Sequence, residues 1–338
     1  MHGFLNLNKP LGWTSHDCVA RLRRLLNTKK IGHAGTLDPL ATGVLPIAVG
    51  RATRLLQYLP KKKAYQATIR FGLTTTTDDL EGEALTQQSA DQLTRQQVEA
   101  ALGNFIGTIQ QKPPMYSAVQ LKGKRLYELA RQGKVVDVPT REVVISQLNS
   151  QDWRTEPHTQ LTVDIDCGPG TYIRSLARDL GAAVGTGATL AGLCRTYSNG
   201  FDLSDSITLE ALQKVLAAET FSLVPAGKAV AHLNAIALPP DLARRWCLGQ
   251  KLILSAKAHR LFSNPGNSAE EGQAQSRPVR VMMAETGIFL GIGEIRNQNF
   301  HDEPSEPTSE KGLGQEEDSG ELLVPKRVFV DAADAQRI

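Results

Sequence analysis

The sequence predicts an α+β chain in two parts, a larger one in which strands and helices interleave and a smaller, β-rich one behind it. Three observations carry this expectation. A chain of 338 residues is too long for one ordinary core. Stretches of period-two and period-3.6 apolar spacing follow one another through about residue 217. Around residues 225–241 the texture turns linker-like ("VPAGKAV", "LPPD"), and short strands separated by turn-rich stretches come after it. The expected domains are 1–232 and 233–338.

In chain order, "GFLNLNKP" reads as a short strand entering a turn. "SHDCVARLRRLL" reads as an amphipathic helix with Ser15 as N-cap, Val19, Leu22 and Leu26 on one face and arginines on the other. "AYQATIRFGL" alternates as a strand does. "SADQLTRQQVEAALGNF" reads as a helix capped by Ser89 and Gln92 and stopped at Gly103. In "TQLTVDIDC", Leu161, Val163, Ile165 and Cys167 point one way. "GPGTYIRSLARDLGAAVG" turns sharply into a helix starting near Thr171, and a strand, "TLAGLCRTYS", and a helix, "TLEALQKVLAA", follow. Four strands are expected beyond: "KLILSA", "PVRVMMAE", "GIFLGIGEI" and "KRVFVDA". Two loops between them, about 262–277 and 300–321, have a composition too polar to order itself; residues 301–321 hold eight acids and one lysine.

A hydrophobic content of 41% with 22% charged residues is that of a globular chain and excludes a disordered one. The N-terminus lacks the apolar core of a signal peptide, and no run of about 18 apolar residues is long enough for a membrane span. The four cysteines are scattered, without metal spacing, as expected of reduced thiols in a cytoplasmic protein. Charge is unevenly spread. Residues 1–70 carry 12 Lys+Arg against 2 Asp+Glu, a local balance of +10 in a chain whose net charge is +3. A basic region on an otherwise acidic chain suits a polyanionic partner.

Within that basic region lies a neutral stretch, "IGHAGTLDPLATGVLPIAVG", whose one charged residue is Asp38. Its Gly and Thr residues permit close approach of backbone to a ligand, and Pro39 stiffens the turn. A carboxylate here could serve as nucleophile, base, metal ligand or local turn cap. From about Gln110 to Gly133, Lys112, Lys122, Lys124, Arg125 and Arg131 are interleaved with Met115, Tyr116 and Tyr127. Cations for phosphates and rings for bases are the two parts of RNA-loop recognition.

Five stretches, in order, resemble motifs of the TruB family of pseudouridine synthases, which modify tRNA in bacteria: "LNLNKPLGWTSHDCV", "GHAGTLDPLATGVLPIAVGRATRL", "KKAYQATIRFGLTTTTDDLEG", "QKPPMYSAVQLKGKRLYELARQG" and "CGPGTYIRSLARDLG". A looser match, "GIFLGIGEI" with "VPKRVFV", resembles the family's PUA-like domain. The resemblance implies a mixed, mostly antiparallel central sheet with flanking helices, and an RNA-gripping insertion at about 110–133. It implies an isomerisation: the N1–C1′ bond of a uridine breaks, the uracil turns, and C5 bonds to C1′. No cofactor or metal is implied. The implied substrate is the T-loop of tRNA (uridine 55), bound by a monomer.

The same resemblance assigns residues. Asp38 is the expected catalytic carboxylate, and Arg174 is the partner that keeps it ionised in a neutral pocket. Tyr65 would stack on the everted base, Leu193 would form an apolar wall, and His33 would sit near the target loop. Lys9, with Pro10, would shape and charge the floor of the site. Lys61, Lys62 and Lys63, together with Lys122, Lys124 and Arg125, are expected RNA contacts. Two rivals stand beside this reading: a non-catalytic RNA-binding or RNA-folding protein on the same fold, and an Asp-nucleophile phosphotransferase.

Overall fold

The computed structural model describes residues 1–117, 119–121, 123–126, 132, 136–254, 276–297 and 321–330. The two loops expected to be disordered lie outside the described residues except at their edges: Ser276, Arg277 and Glu321 belong to strands. By contacts the chain divides into two units. The larger gathers Leu5–Ile47 and Pro60–Ser222; the smaller gathers Met1–Phe4, Ala48–Leu59 and Leu223–Ile338.

The larger unit is organised by one twisted sheet. Its strands in chain order are β1 (Gly3–Lys9), β2 (Ile31–His33), β3 (Ala41–Val49), β4 (Lys63–Phe71), β5 (Leu73–Thr75), β6 (Ala84–Gln87), β7 (Gly107–Gln111), β8 (Gln120–Leu121), β9 (Lys124–Arg125), β10 (Arg141–Arg154), β11 (Gln160–Cys167), β12 (Ala188–Ser198) and β13 (Phe201–Asp202). The main sheet runs β1-β3-β12-β4-β11-β10-β7, with β2 beside β3 and β13 beside β12, while β5/β6 and β8/β9 form separate hairpins. β12 is parallel to β3 and antiparallel to β4, and the β4/β11, β10/β11 and β7/β10 pairs are antiparallel. The sheet is therefore mixed and mostly antiparallel.

Alternation explains why the central strands sit where they do. Tyr65, Ala67, Ile69 and Phe71 of β4 are buried, as are Leu161, Val163, Ile165 and Cys167 of β11, and the in-between positions are more open. The register pairs Tyr65 with Ile165 and Lys63 with Cys167, so both strands turn the same face inward. The helix Ile173–Ala183 packs over this face, burying Ile173, Leu176, Ala177 and Leu180.

Helix boundaries depart from expectation in two places. The first helix, Ser15–Leu25, is capped by Thr14 rather than Ser15, through a reciprocal box with Asp17. Ser15 is thereby free for another contact, described below. The second, Arg95–Leu102, is capped by Thr94 and Gln97 rather than Ser89 and Gln92. Both pairs fit the capping-box spacing, but only the later one precedes apolar residues one turn apart, Val98 and Leu102, which are buried. Ser89 instead accepts from the amide of Asp91 in a local turn at 3.1 Å. The helix after "GPGTY" begins at Ile173, and Thr171 closes the preceding loop by donating to the carbonyl of Gly168 at 3.1 Å.

The smaller unit is a curled sheet of five strands, β14 (Ala235–Leu238), β15 (Leu252–Leu254), β16 (Ser276–Met283), β17 (Phe289–Asn297) and β18 (Glu321–Val328), in the order β14-β16-β17-β18-β15. Trp246, Val281, Leu290 and Leu323 are fully buried at its core. Residues 225–241, linker-like in composition, are structured: a helical turn at Ala226–Ala229, then β14, then a helix at Pro240–Cys247. The Pro-Pro pair is a helix start, with Pro240 at the first helical position, where a missing amide costs nothing. "KRVFVDA" was expected as the last strand; β18 ends at Val328 instead. Residues 48–59 belong to this unit: Arg51 Nη1 donates to the carbonyl of Phe329 at 2.7 Å. Among the described residues no helix is long and apolar enough to cross a membrane.

Gly43 is a position where the main sheet admits little change. Its φ is +95°, and a Cβ would collide with the backbone of Arg195 on β12. Gly43→Ala is expected to destabilise the larger unit by at least about 1–3 kcal/mol. Thermal denaturation checks this; an unchanged midpoint would contradict it.

Candidate active site

The site is built around the turn that carries Asp38, between β2 and β3. Three neighbours hold this turn by its backbone. Ser15, displaced from the cap, donates its hydroxyl to the carbonyl of Leu37 at 3.1 Å and accepts from the Leu37 amide at 2.8 Å. Lys9, fully buried, donates to the carbonyls of Pro10 at 2.9 Å, Trp13 at 2.6 Å and Pro39 at 3.4 Å. Burial pushes its pKa down, opposed by the charge of Asp38 among others. Arg195 of β12, also fully buried, donates from Nε to Val44 at 2.7 Å, from Nη2 to Gly35 at 3.0 Å and from Nη1 to Thr36 at 3.4 Å, all at carbonyl oxygens. Arg195 is also the cross-strand neighbour of Tyr65 on β4.

Asp38 meets Arg174 directly. Arg174 Nη2 lies 3.0 Å from Asp38 Oδ2, and Nη1 lies 3.6 Å from Asp79 Oδ2. The same two nitrogens donate to the carbonyls of Tyr116 at 2.8 Å and Thr77 at 3.1 Å. Arg174 and Asp79 are 6% and 3% exposed at the side chain, whereas Asp38 is 41% exposed, into the pocket. One buried cation is thus shared by a buried and an open carboxylate. Burial pushes the Asp38 pKa up; Arg174 pulls it down, and Asp79 pushes it up again. One turn along the helix, Arg178 pairs with Asp78 at 2.8 Å, so two successive acids face two arginines spaced i, i+4.

Two adjoining concavities meet at Asp38. The inner one, of about 260 Å³, is lined by Thr36, Asp38, Lys63, Tyr65, Leu193 and Arg174, among others. The outer one, of about 580 Å³, adds His33, His16, Asp79, Glu81 and Tyr116. Tyr65 is 6% exposed, and burial raises its pKa, so its hydroxyl is un-ionised. His33 lines the outer concavity, and burial, then the charge of Arg195, lowers its pKa. Ser117 lines both concavities with a buried hydroxyl that has no hydrogen-bond partner among the described residues.

Of the sequence-designated residues, Asp38, Tyr65, Arg174, Leu193 and Lys63 come together in the inner pocket and His33 in the outer, with Lys9 behind the turn. Lys61 and Lys62 are exposed, and Lys62 pairs with Asp166 at 2.8 Å. Lys124 and Arg125 form β9; Lys122 lies outside the described residues. Sequence reading missed Asp79, Arg195, Ser15 and Ser117 as parts of the site. Among the described residues no group of three or more His, Cys, Asp or Glu side chains could hold a metal ion.

Residues 23–173 match the N-terminal domain of TruB family pseudouridylate synthases. Residues 174–241 match the tRNA pseudouridylate synthase B C-terminal domain, and 235–299 match the C-terminal region of the pseudouridine synthase II TruB type. The tRNA pseudouridine synthase B of Trichormus variabilis is 54% identical over 296 residues, which cover 88% of this chain and 95% of the relative. The chain belongs to the TruB family. The tRNA pseudouridine synthase B of Acaryochloris marina is 58% identical over 295 residues, 87% of this chain and 95% of that one. A chain from a Cbf5–Nop10–Gar1 complex superposes with a TM-score of 0.65 at 26% identity, covering 86% of this chain and 78% of its own. A chain of the archaeal box H/ACA Nop10–Cbf5 complex shares the fold, with a TM-score of 0.66 at 23% identity over 98% of this chain and 88% of that one. The TruB-family chain is a tRNA pseudouridine synthase, an isomerase, on a mixed α+β fold with a PUA-like C-terminal half-barrel.

If Asp38 acts as a carboxylate, activity must fall where it takes up a proton, because the protonated form lacks the charge. Burial raises its pKa, so the acid limb of the single-turnover rate is expected to have its midpoint above the ordinary 3.8. Removing the opposing charge in Arg174→Met should move that limb to still higher pH. A wild-type midpoint at or below 3.8 would contradict this account of the site.

Proposed function

We propose that this tRNA pseudouridine synthase isomerises the T-loop uridine of tRNA (uridine 55), with Asp38 as the catalytic carboxylate acting on an everted nucleotide. The observation that carries the reading is the Arg174–Asp38 contact at 3.0 Å on the wall of a pocket that also holds Tyr65 and Leu193. A stacked uridine is out of reach of a recessed carboxylate, so the nucleotide must leave its stack. The ring of Tyr65 offers a flat surface for the everted base, with stacking worth about 1–3 kcal/mol. Leu193 supplies an apolar wall on which the detached uracil can turn. Attack on C1′, attack on the base and proton abstraction all require Asp38 to be ionised, and Arg174 supplies the charge that opposes its burial.

Substrate grip follows from the cations around the site. Arg23, Arg24, Lys29, Lys30 and Lys61 are exposed on the larger unit and suit backbone phosphates of a T-arm. The segment about 110–133, with Lys122, Lys124 and Arg125, is the proposed gripping insertion. His33, on the outer concavity, suits contact with the target loop. Residues 233–338 are proposed as the RNA-binding domain that accompanies the catalytic one of 1–232.

The test is to treat unmodified bulk tRNA with the enzyme and map pseudouridine by position. The expected product is confined to the T-loop; pseudouridine elsewhere, with none there, would overturn the target assignment. Asp38→Ala should lower the rate at least about a thousandfold while leaving RNA affinity nearly intact, because affinity is mostly phosphate contact. Turnover by Asp38→Ala at the wild-type rate would overturn the catalytic assignment.

A further inference from the structure

Lys63 differs in kind from the two lysines before it. Lys61 and Lys62 are exposed, whereas Lys63 opens β4 and lines the inner pocket. It lies two residues before Tyr65, so it shares that residue's face of the sheet, about 7 Å along the strand. A Cβ placed on Gly35 would lie 3.5 Å from Lys63 Nζ and 3.4 Å from Arg195 Nη1, so two cations flank one glycine of the Asp38 turn.

Neither charge is neutralised there. Arg195 donates to three carbonyl oxygens, which are dipoles rather than counter-ions. Among the described residues Lys63 has no carboxylate in ion-pairing range. Its titratable neighbours are Arg195, a like charge, and the Cys167 thiol, whose pKa burial pushes up to about 11 and which is therefore uncharged at neutral pH. Burial and Arg195 both push the Lys63 pKa down. A recessed ammonium beside a guanidinium, with no anion, opposes folding, and an apolar side chain would pack there more cheaply. Its location is accounted for when an anion enters the pocket with the substrate. The anionic groups of an RNA are its phosphates, and an everted uridine brings one on each side into the pocket's mouth.

We propose that Lys63 Nζ receives one of the two phosphates flanking the everted uridine and so seats that nucleotide against Tyr65 and over Asp38. The inference rests on the everted-uridine reading above and adds a positioning residue to it. The exposed lysines grip the RNA at large, while Lys63 acts on the reacting nucleotide. Its loss should therefore appear in the rate of the chemical step more than in affinity.

The test pairs Lys63→Met with T-arm stem-loop RNAs carrying a single uncharged methylphosphonate on one side or the other of the target uridine, read as single-turnover rates and Kd. In the wild type, one of the two methylphosphonates should slow the reaction on the order of tenfold to a hundredfold, the scale of one charge-assisted hydrogen bond. Lys63→Met should lose a similar factor on unmodified RNA, bind it with little change, and lose nothing further to that methylphosphonate. A merely structural lysine would not be selective for one phosphate. If the two losses multiply, or if Lys63→Met turns over at the wild-type rate, the proposal is overturned. Should Lys63→Met fail to fold, Lys63→Gln enters the same comparison with the same criteria. Asp38→Asn separates the two levels: if it retains wild-type turnover, the catalytic reading itself fails; if it is inactive while the Lys63 and phosphate losses multiply, only the Lys63 assignment fails.

Discussion

A single guanidinium organises the catalytic region. Arg174 is almost wholly buried, and its charge is divided between Asp79 behind it and Asp38 in front. Arg174 depends on that acidic company, because removing one partner of a buried ion pair leaves a charge uncompensated and costs about 3–5 kcal/mol. Asp79 meets part of that need and is itself held by the hydroxyl of Thr77 and the amide of Glu81. This leaves Asp38 as the more open of the two acids, accessible from the pocket yet kept in place by the same cation. The Thr/Asp-rich stretch after β4 and the "TYIR" stretch that opens the helix are thus two halves of one device.

The carboxylate is also held from behind. Carbonyls of Gly35, Thr36, Leu37 and Pro39 accept from Arg195, Ser15 and Lys9, three side chains that reach the turn from different elements. Donors fixed before substrate arrives need no reorganisation when charge shifts, which is the usual source of rate in an enclosed polar site. Arg195 also sits opposite Tyr65 across β12 and β4, so the tyrosine and the carboxylate turn are referenced to one frame.

Much of this was legible in the chain because the relevant signals are local. The lone acid of a neutral stretch, the strand tyrosine and the arginine opening a helix each carry a short motif, and the alternation of β4 and β11 put the right face inward. Asp79 and Arg195 were not legible as site residues. One was an acid in a polar loop and the other a cation on a strand, and only tertiary pairing across β4, β12 and the helix gives them partners. Ser15 was misread because Thr14 competes for the same cap and wins through Asp17. The Pro-Pro pair read as a linker because proline breaks a helix interior but is welcome at its first position. The signal that sets Lys63 apart was present all along: it is the lysine of the three that lies within the alternating strand and in phase with Tyr65.

The central proposal is that Asp38, held by Arg174, meets an everted uridine. A crystal structure of the Asp38→Asn enzyme with a T-arm stem-loop tests it most directly. The account predicts the target uridine out of its stack and against Tyr65, with residue 38 in van der Waals contact with the ribose or base and Arg174 still bonded to it. A target uridine stacked within the RNA, with residue 38 and Arg174 parted or closed off from it, would contradict the account.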